Sequence, residues 1–325
     1  MPELAEDYYS NMDAKRLSTN TILGYMYELK VFLKFVAAVV KKESIKEIAV
    51  EDLEMLTLKH INAYTSKSES GITLSDNATR RKLAVVKSIY RYFIAIGSIK
   101  KNPTLLAKGP RVKEHTVIKL SDSQVTALLH VIRNQESLNE DFTITEHAKS
   151  YNERMIPRDI AIIMVLLGTG MRISELVGLN MSDVDTSDTE KIYLHIIRKG
   201  ADEDKVRVMG PVYNALEKYI RSSRSNLVGS TLENALFVST QGKRMTVNAV
   251  QKMVEKYCRL ANLPDNISPH KMRATFATKV YSETKDIYAI KDALHHKTID
   301  TAKHYISDKE ARMDAAAEAA AKLFE

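Results

Sequence analysis

Apolar residues recur at helical spacing along most of this chain, and one stretch alternates as strands do. In "STNTILGYMYELKVFLKFVAAVV", Tyr25, Leu29, Phe32 and Val36 share one face, and Ser18 is placed to cap the helix. A second helix is expected near Val50–His60 and a third over roughly Ile61–Ser68. A fourth begins after the cap candidates of "SDNATRRKLAVVKSIYRYFIAIG" and stops at Gly97, with Leu83, Val86, Tyr90 and Phe93 as its apolar stripe. "KNPTLLAKGPRVKEHTVIKLS" holds Pro103, Gly109 and Pro110 without a helical period, so it reads as a linker. Beyond it, "SDSQVTALLHVIRN" is a capped helix and "RDIAIIMVLLGTG" a buried one ending at Gly168 and Gly170. The polar, acid-rich stretch from Asn134 to Glu153 has no period and is expected to be a loop or an insertion. "KIYLHIIRKGADEDKVRVMG" alternates β-branched and polar residues around a turn and predicts a β-hairpin. The remainder is helical, and no internal repeat is present.

The expected fold class is mainly α with a small β-sheet. A helical N-terminal domain spans 1–108, a linker 109–118, a mixed α/β domain 119–306 and a terminal helix 307–325. A length of 325 residues suits two domains, and 44% hydrophobic with 27% charged residues suits a soluble protein with real cores. The longest apolar run, "IAIIMVLLG", is far shorter than the roughly 20 residues of a membrane helix, and no signal pattern opens the chain. Cys258 is the single cysteine, so no internal disulfide and no Cys/His zinc cluster is expected. These features predict a cytoplasmic protein without a membrane partner.

Charge changes the picture more. The net charge is +7, which favours a polyanionic partner. It is unevenly placed: Arg80, Arg81, Lys82, Lys87, Arg91, Lys100, Lys101, Lys108, Arg111 and Lys113 follow one another with no acidic residue between Arg80 and Lys113. In the fourth helix Arg80, Lys87 and Arg91 form a basic stripe beside the apolar one. Such a helix could pack on its own domain while lying along a phosphate backbone, or simply present a soluble outer face.

Four fragments carry candidate chemistry: "GTGMRISELVGL", "IIRKGADEDKVRV", "SPHKMRATFAT" and "DALHHKTIDTAKHYI". In the third, Ser268 is an N-cap candidate and Pro269 fits a first helical turn, so His270 and Arg273 share a face near a helix N-terminus, where anions are favoured. In the first, a glycine-flanked turn delivers Arg172, with Glu175 close enough to orient it. Two arginines can each grip a phosphate bidentately, as lysine cannot. Singly, each fragment also has a plain reading: Arg172 and Glu175 as a structural ion pair, His270 as a capping residue.

Together, in this order and at these spacings, the fragments resemble the tyrosine recombinase family, the phage integrase, Xer and Cre group. The resemblance covers nearly the whole chain: "TGMRISEL" is similar to the first-arginine motif, "PHKMRATFAT" to the His-x-x-Arg motif, and "ALHHKTIDTAKHY" to the histidine-to-tyrosine motif. "STNTILGYMYELKVFLKF" and "ATRRKLAVVKSIYRYF" resemble the helical, SAM-like core-binding domain of that family. Its histidine precedes the tyrosine by nine positions, which from Tyr305 selects His296. His295 stands where the family usually has glycine, and Ala274 where many members have a second histidine; the Asn134–Glu153 stretch is longer than in compact Xer-type members.

The resemblance implies a site-specific recombinase. Tyr305 would attack the scissile DNA phosphate, forming a covalent 3′-phosphotyrosine. Arg172, Arg273 and His296 would stabilise the transition state, and His270 would act as general base or hydrogen-bond partner. Lys199, with Lys205 as the alternative, would protonate the departing 5′-oxygen. Glu175 would support the arginines. Arg80, Arg81, Lys87, Arg91, Lys100, Lys101, Lys108, Arg111 and Lys113 would contact DNA. The arginines would do the work that metal ions do in metal-dependent nucleases, so no metal and no other cofactor is expected. The implied partners are double-stranded DNA with inverted-repeat half-sites and further copies of the chain, a dimer per site and a tetramer in synapsis. The tail, with Ser307 and Glu310 as a capping box and Leu323 and Phe324 near its end, would dock on a neighbouring protomer or pack on its own. The first family-like helix begins near Ser18, so a core-site recombinase without an additional arm-binding domain is expected. Two other readings stay open: a DNA-binding regulator of the same fold that does not cut, and a type IB topoisomerase-like nicking enzyme.

Overall fold

The computed structural model describes residues 1–111, 118–188, 192–198, 203–229, 233–295 and 298–299. The chain forms two compact units, Met1–Lys113 and Glu114–Glu325.

In the first unit four α-helices surround one core: α1 (Glu3–Ala14), α2 (Thr19–Val40), α3 (Leu58–Ser66) and α4 (Asp76–Ala95). Ser18 caps α2 by accepting from the Thr21 N–H at 3.3 Å, and Ser75 caps α4 in the same way through Ala78. Leu29, Phe32 and Val36 of α2 are fully buried against Val86, Tyr90 and Phe93 of α4. Each such side chain contributes roughly 1.5–3 kcal/mol by leaving water. Buried polar atoms are satisfied as they must be: the Tyr90 hydroxyl donates to the Leu53 carbonyl at 2.7 Å.

Two expectations change here. The segment expected as a helix near Val50–His60 is a 3₁₀ turn over Val50–Met55, and α3 starts only at Leu58. Leu56 and Thr57 are extended, and the Thr57 hydroxyl accepts from the His60 N–H, so the cap stops the two segments from merging. Helix α1 was not anticipated. Leu4, Ala5, Tyr8 and Met12 form its buried stripe, and the Tyr8 hydroxyl donates to Ser88 in α4 at 2.9 Å.

The second unit is built on the buried helix α7 (Ile156–Thr169). Around it lie α5 (Asp122–Asn134), α8 (Ile173–Gly178), α9 (Gly210–Tyr219), α11 (Val247–Leu260) and α12 (Pro269–Thr284). The short helices α6 (Glu146–Glu153), α10 (Ser225–Val228) and α13 (Ile287–Ala293) complete it. Three antiparallel strands in the order β1 (Val184–Asp185), β2 (Ile192–Ile197), β3 (Glu203–Val208) form the sheet. In the hairpin Leu194 pairs with Val206 and Ile196 with Asp204. The period-2 alternation buries Leu194, Ile196, Val206 and Val208 and turns His195, Ile197 and Lys205 outward. Strand β1 extends the expected hairpin: "DVDTSD" supplies Val184 and Asp185 as a third strand before it turns.

Within the Asn134–Glu153 stretch residues 135–145 form neither helix nor strand, as expected of a loop. The end of the stretch forms α6, and its start is pinned to the end of α11, where the Leu138 N–H donates to the Leu260 carbonyl at 2.8 Å and Asn139 to the Arg259 carbonyl at 3.1 Å. Among the described residues no helix is long and apolar enough to cross a membrane.

Candidate active site

Helix α7 ends at Gly170, whose φ of +62° lies in the left-handed region. A Cβ there would also overlap Phe276 and Leu294, so glycine is needed for both conformation and space. The turn delivers Arg172 as the extended residue ahead of α8. Its main-chain N–H donates to one Glu175 oxygen at 2.7 Å and its guanidinium to the other at 2.7 Å. Glu175 is buried, whereas 45% of the Arg172 side chain is exposed. One carboxylate therefore fixes both the backbone and the head group of an arginine that still faces outward.

Pro269 opens α12, and Ser268 precedes it in the N-cap position without a side-chain capping bond. One turn in, Arg273 is buried. Its guanidinium donates to the Gly170 carbonyl at 2.5 Å and to the Leu294 carbonyl at 2.9 Å. It thereby ties together the end of α7, the start of α12 and the end of α13. His270, three residues earlier, is exposed at the surface of this cluster. Partial burial, then the positive charges of Lys271, Arg273 and Arg172, hold its pKa below the usual imidazole value. The ring thus sits in a positive field shared by both arginines.

The closed end of the β-hairpin carries a second set of charges on its inward face. Arg198 donates through Nε to an Asp204 oxygen at 2.6 Å and through Nη1 to Glu175 at 3.4 Å. The same Asp204 oxygen lies 2.6 Å from Nδ1 of His295. Burial of Asp204 opposes its ionisation, but the bonds from Arg198 and the Lys205 N–H, with the charges of His295 and Arg198, outweigh that and hold its pKa below the usual carboxylate value. Burial and Arg198 lower the pKa of His295, against the opposing pull of Asp204 and Glu175. Arg198, Asp204 and His295 were not among the sequence-derived candidates. The signal for the first two was present, because the strand alternation places them in line with Ile196 and Val206. Nothing in the pattern marked His295 beyond its departure from glycine.

The structure thus brings Arg172, Glu175, His270 and Arg273 into one neighbourhood. Lys199, His296 and Tyr305 lie outside the described residues, as do Lys113 and the tail with Ser307 and Glu310. Lys205, the alternative to Lys199, faces away from the Asp204 side of the sheet, with its ammonium 4.6 Å from the Tyr193 ring centre. His195 pairs with Asp185 of β1 at 3.3 Å, a contact within the sheet. Two other tyrosines of this unit, Tyr219 and Tyr257, are buried in the core. Burial pushes Tyr219 up to about 12 and Tyr257 further, which disfavours a phenolate at either. Among the described residues no group of His, Cys, Asp and Glu could hold a metal ion.

In the first unit Arg81, Arg91, Lys100, Lys101, Lys108 and Arg111 are exposed, and Arg80 and Lys87 partly so. Arg81 reaches Glu28 at 2.7 Å with 71% of its side chain still exposed. The main-chain N–H groups of Lys100 and Lys101 converge on Glu54, which pins this turn while both side chains remain outside.

The sequence matches the phage integrase family over residues 120–312 and the phage integrase N-terminal SAM-like domain over 5–97. It is 28% identical to a tyrosine recombinase XerC of Pelobacter propionicus, covering 90% of this chain and 85% of that protein. It is 27% identical to a tyrosine recombinase XerS of Streptococcus pyogenes, covering 95% and 94%. The fold is similar to the XerH site-specific recombinase in a post-cleavage complex with palindromic difH substrate, with a TM-score of 0.70 at 18% identity over 94% of this chain and 81% of that one. It is also similar to a lambda integrase tetramer bound to a Holliday junction, with a TM-score of 0.65 at 14% identity over 93% and 76%. The chain belongs to the phage integrase family and is a site-specific recombinase of the tyrosine class.

Proposed function

We propose that this recombinase cuts and rejoins double-stranded DNA through Tyr305, using Arg172, His270, Arg273 and His296 to hold the scissile phosphate and Lys199 as general acid. The observation that carries the reading is the convergence of Arg172 and Arg273 on the surroundings of His270. A field that disfavours a proton on His270 favours a phosphate beside it. Both arginines are fixed in advance, Arg172 by Glu175 and Arg273 by two carbonyls, so little reorganisation is needed as charge develops.

In the proposed step the Tyr305 oxygen forms a bond to phosphorus as the bond to the 5′-oxygen breaks. The phenolic proton passes to His270 or to water, and a proton from the Lys199 ammonium goes to the departing oxygen. A free phenol has a pKa near ~10, so the positive cluster also assists by favouring phenolate. Rejoining is the reverse, with a 5′-hydroxyl as nucleophile. The phosphodiester energy is kept in the phosphotyrosine, and no nucleotide cofactor is required.

Two such exchanges through a Holliday junction complete recombination, with a dimer on inverted half-sites and a tetramer in synapsis. Family membership and the likeness to integrase and Xer complexes support this arrangement. The basic run Arg80–Lys113 would track the DNA backbone. The tail after Asp308 would dock on a neighbouring protomer, and its deletion should weaken cooperative assembly on DNA more than binding of a single copy.

The test is covalent capture. Purified protein is mixed in EDTA with DNA from beside its own gene, on nicked substrates that trap cleavage. An SDS-resistant, protease-sensitive adduct that vanishes in Tyr305→Phe is the expected result, and it maps the site. Binding without an adduct on any such substrate would favour the non-cutting regulator. An adduct that persists in Tyr305→Phe would show a different nucleophile.

A further inference from the structure

His295 adopts a φ of +49°, in the left-handed region where an L-residue other than glycine, asparagine or aspartate is uncommon. Its side chain is engaged rather than idle. Nδ1 lies 2.6 Å from Asp204 Oδ2. An ionised carboxylate can only accept, so the ring proton sits on Nδ1. The residue before it, Leu294, gives its carbonyl to Arg273 at 2.9 Å, and Asp204 holds Arg198, the last described residue before Lys199. Arg198 in turn reaches Glu175, the carboxylate that orients Arg172. His295 thus stands at a junction: its main chain adjoins the Arg273 anchor, and its side chain reaches Asp204 at the start of β3, which also holds Arg198 after the end of β2.

We infer that His295 is a positioning residue, which through Asp204 fixes Arg198, the neighbour of Lys199 in sequence, relative to Arg172 and Arg273. A glycine at this position could hold the same backbone but could not reach the hairpin. The bridge is a property of this chain's own residues, since it needs a hydrogen-bond donor at 295 and an acceptor at 204 together. It rests on the reading that Lys199 protonates the leaving oxygen, and the experiment separates the two.

The probe is a pair of DNA duplexes carrying the site mapped by adduct formation. One has the ordinary 5′-bridging oxygen at the scissile phosphate and the other a 5′-bridging sulfur. A thiolate leaves without being protonated, so the sulfur substrate bypasses the general acid. On the oxygen substrate His295→Gly and Asp204→Ala should each cleave about 10-fold more slowly in single turnover. On the sulfur substrate both should approach the wild-type rate. The thermal midpoint of His295→Gly should not fall, because glycine is at ease at positive φ.

His295→Asn sharpens the test. The asparagine Nδ2 occupies nearly the position of the imidazole Nδ1, donates to a carboxylate, and tolerates this conformation. It should recover most of the rate lost in His295→Gly. Equal loss of His295→Gly on both substrates, or no loss on either, would overturn the inference. Lys199→Ala is the reference. If sulfur rescues it but not His295→Gly, the positioning role fails alone. If sulfur does not rescue Lys199→Ala, the assignment of Lys199 fails, and the inference goes with it.

Discussion

Two buried arginines in the second unit, Arg158 and Arg273, have similarly low exposure and opposite consequences. Arg158 donates through Nε to Asp159 at 2.8 Å and through Nη1 to the Val238 carbonyl at 3.0 Å. Asp159 also accepts from the Tyr257 hydroxyl at 2.8 Å. The pair balances its own charge and closes on itself inside the core. Arg273 is held through the carbonyls of Gly170 and Leu294. Among the described residues, Arg172, Arg198 and Lys271 outnumber Glu175 and Asp204 in this cluster. Burial of an arginine is therefore no mark of a site. What differs is whether the local charge is cancelled, and here only the second cluster keeps a positive surplus facing outward through Arg172 and His270.

The largest expected effects separate the two. Arg158→Met leaves Asp159 buried without its cation and should lower stability by about 3–5 kcal/mol, read as a shifted denaturant midpoint. Cleavage per folded molecule should stay near wild type. Arg273→Lys keeps the charge but cannot hold two carbonyls and a phosphate with a planar fork. It should slow single-turnover cleavage by about 10²–10³-fold and lower stability by about 1–3 kcal/mol for the carbonyl left unpaired. If Arg158→Met instead silences cleavage in protein shown to be folded, the division between structural and functional cluster is wrong.

A smaller pair of effects sharpens the contrast. Tyr257→Phe removes one donor from Asp159 and should cost about 1–3 kcal/mol of stability, with cleavage intact. Gly170→Ala should do both kinds of damage, because Gly170 shapes the turn and its carbonyl anchors Arg273. A side chain at that positive φ costs about 1–3 kcal/mol, and the displaced carbonyl should slow cleavage as well. A Gly170→Ala enzyme with a lowered midpoint and wild-type cleavage would show that the carbonyl anchor is dispensable.

This contrast also explains what the sequence made legible. Helical period exposed the cores of α2 and α4, since each buries residues from one repeating stripe, whereas α7 was legible as a continuous apolar run that is buried on most sides. It missed α1, where Leu4, Tyr8 and Met12 were spaced for a helix but opened a short polar segment. It misplaced the start of α3, because an extended Leu56–Thr57 cap interrupts an apolar pattern that looks continuous. Local motifs located Arg172, Glu175, His270 and Arg273, where i to i+3 spacing brings partners together. Strand alternation put Arg198 and Asp204 on one face, but their link to His295 was out of reach, since it depends on which strand face meets the end of α13. That information is tertiary, and a pair such as 204 and 295 leaves no spacing to read.

The smallest effect tests the surplus charge itself. His270 has a lowered pKa from partial burial first and from Lys271, Arg273 and Arg172 next. The neutral ring therefore persists to lower pH than in an ordinary histidine. In the unfolded chain the ring binds its proton nearer ~6.5, so this group's contribution makes stability fall as pH drops through that value. Lys271 is the one cation of the three without a proposed hold on phosphate, so Lys271→Ala changes the field and spares the arginines. The His270 titration, followed by its ring proton resonance in DNA-free protein, should move upward by a few tenths of a unit. In about 1 M salt, where screening acts within roughly 3 Å, the difference between wild type and Lys271→Ala should largely vanish. The part due to burial should remain, leaving both proteins below ~6.5. A titration insensitive to Lys271 at low salt would mean that this cation adds nothing to the field at His270, and the positive surplus that distinguishes this cluster from Arg158 and Asp159 would lose its largest charge contribution there.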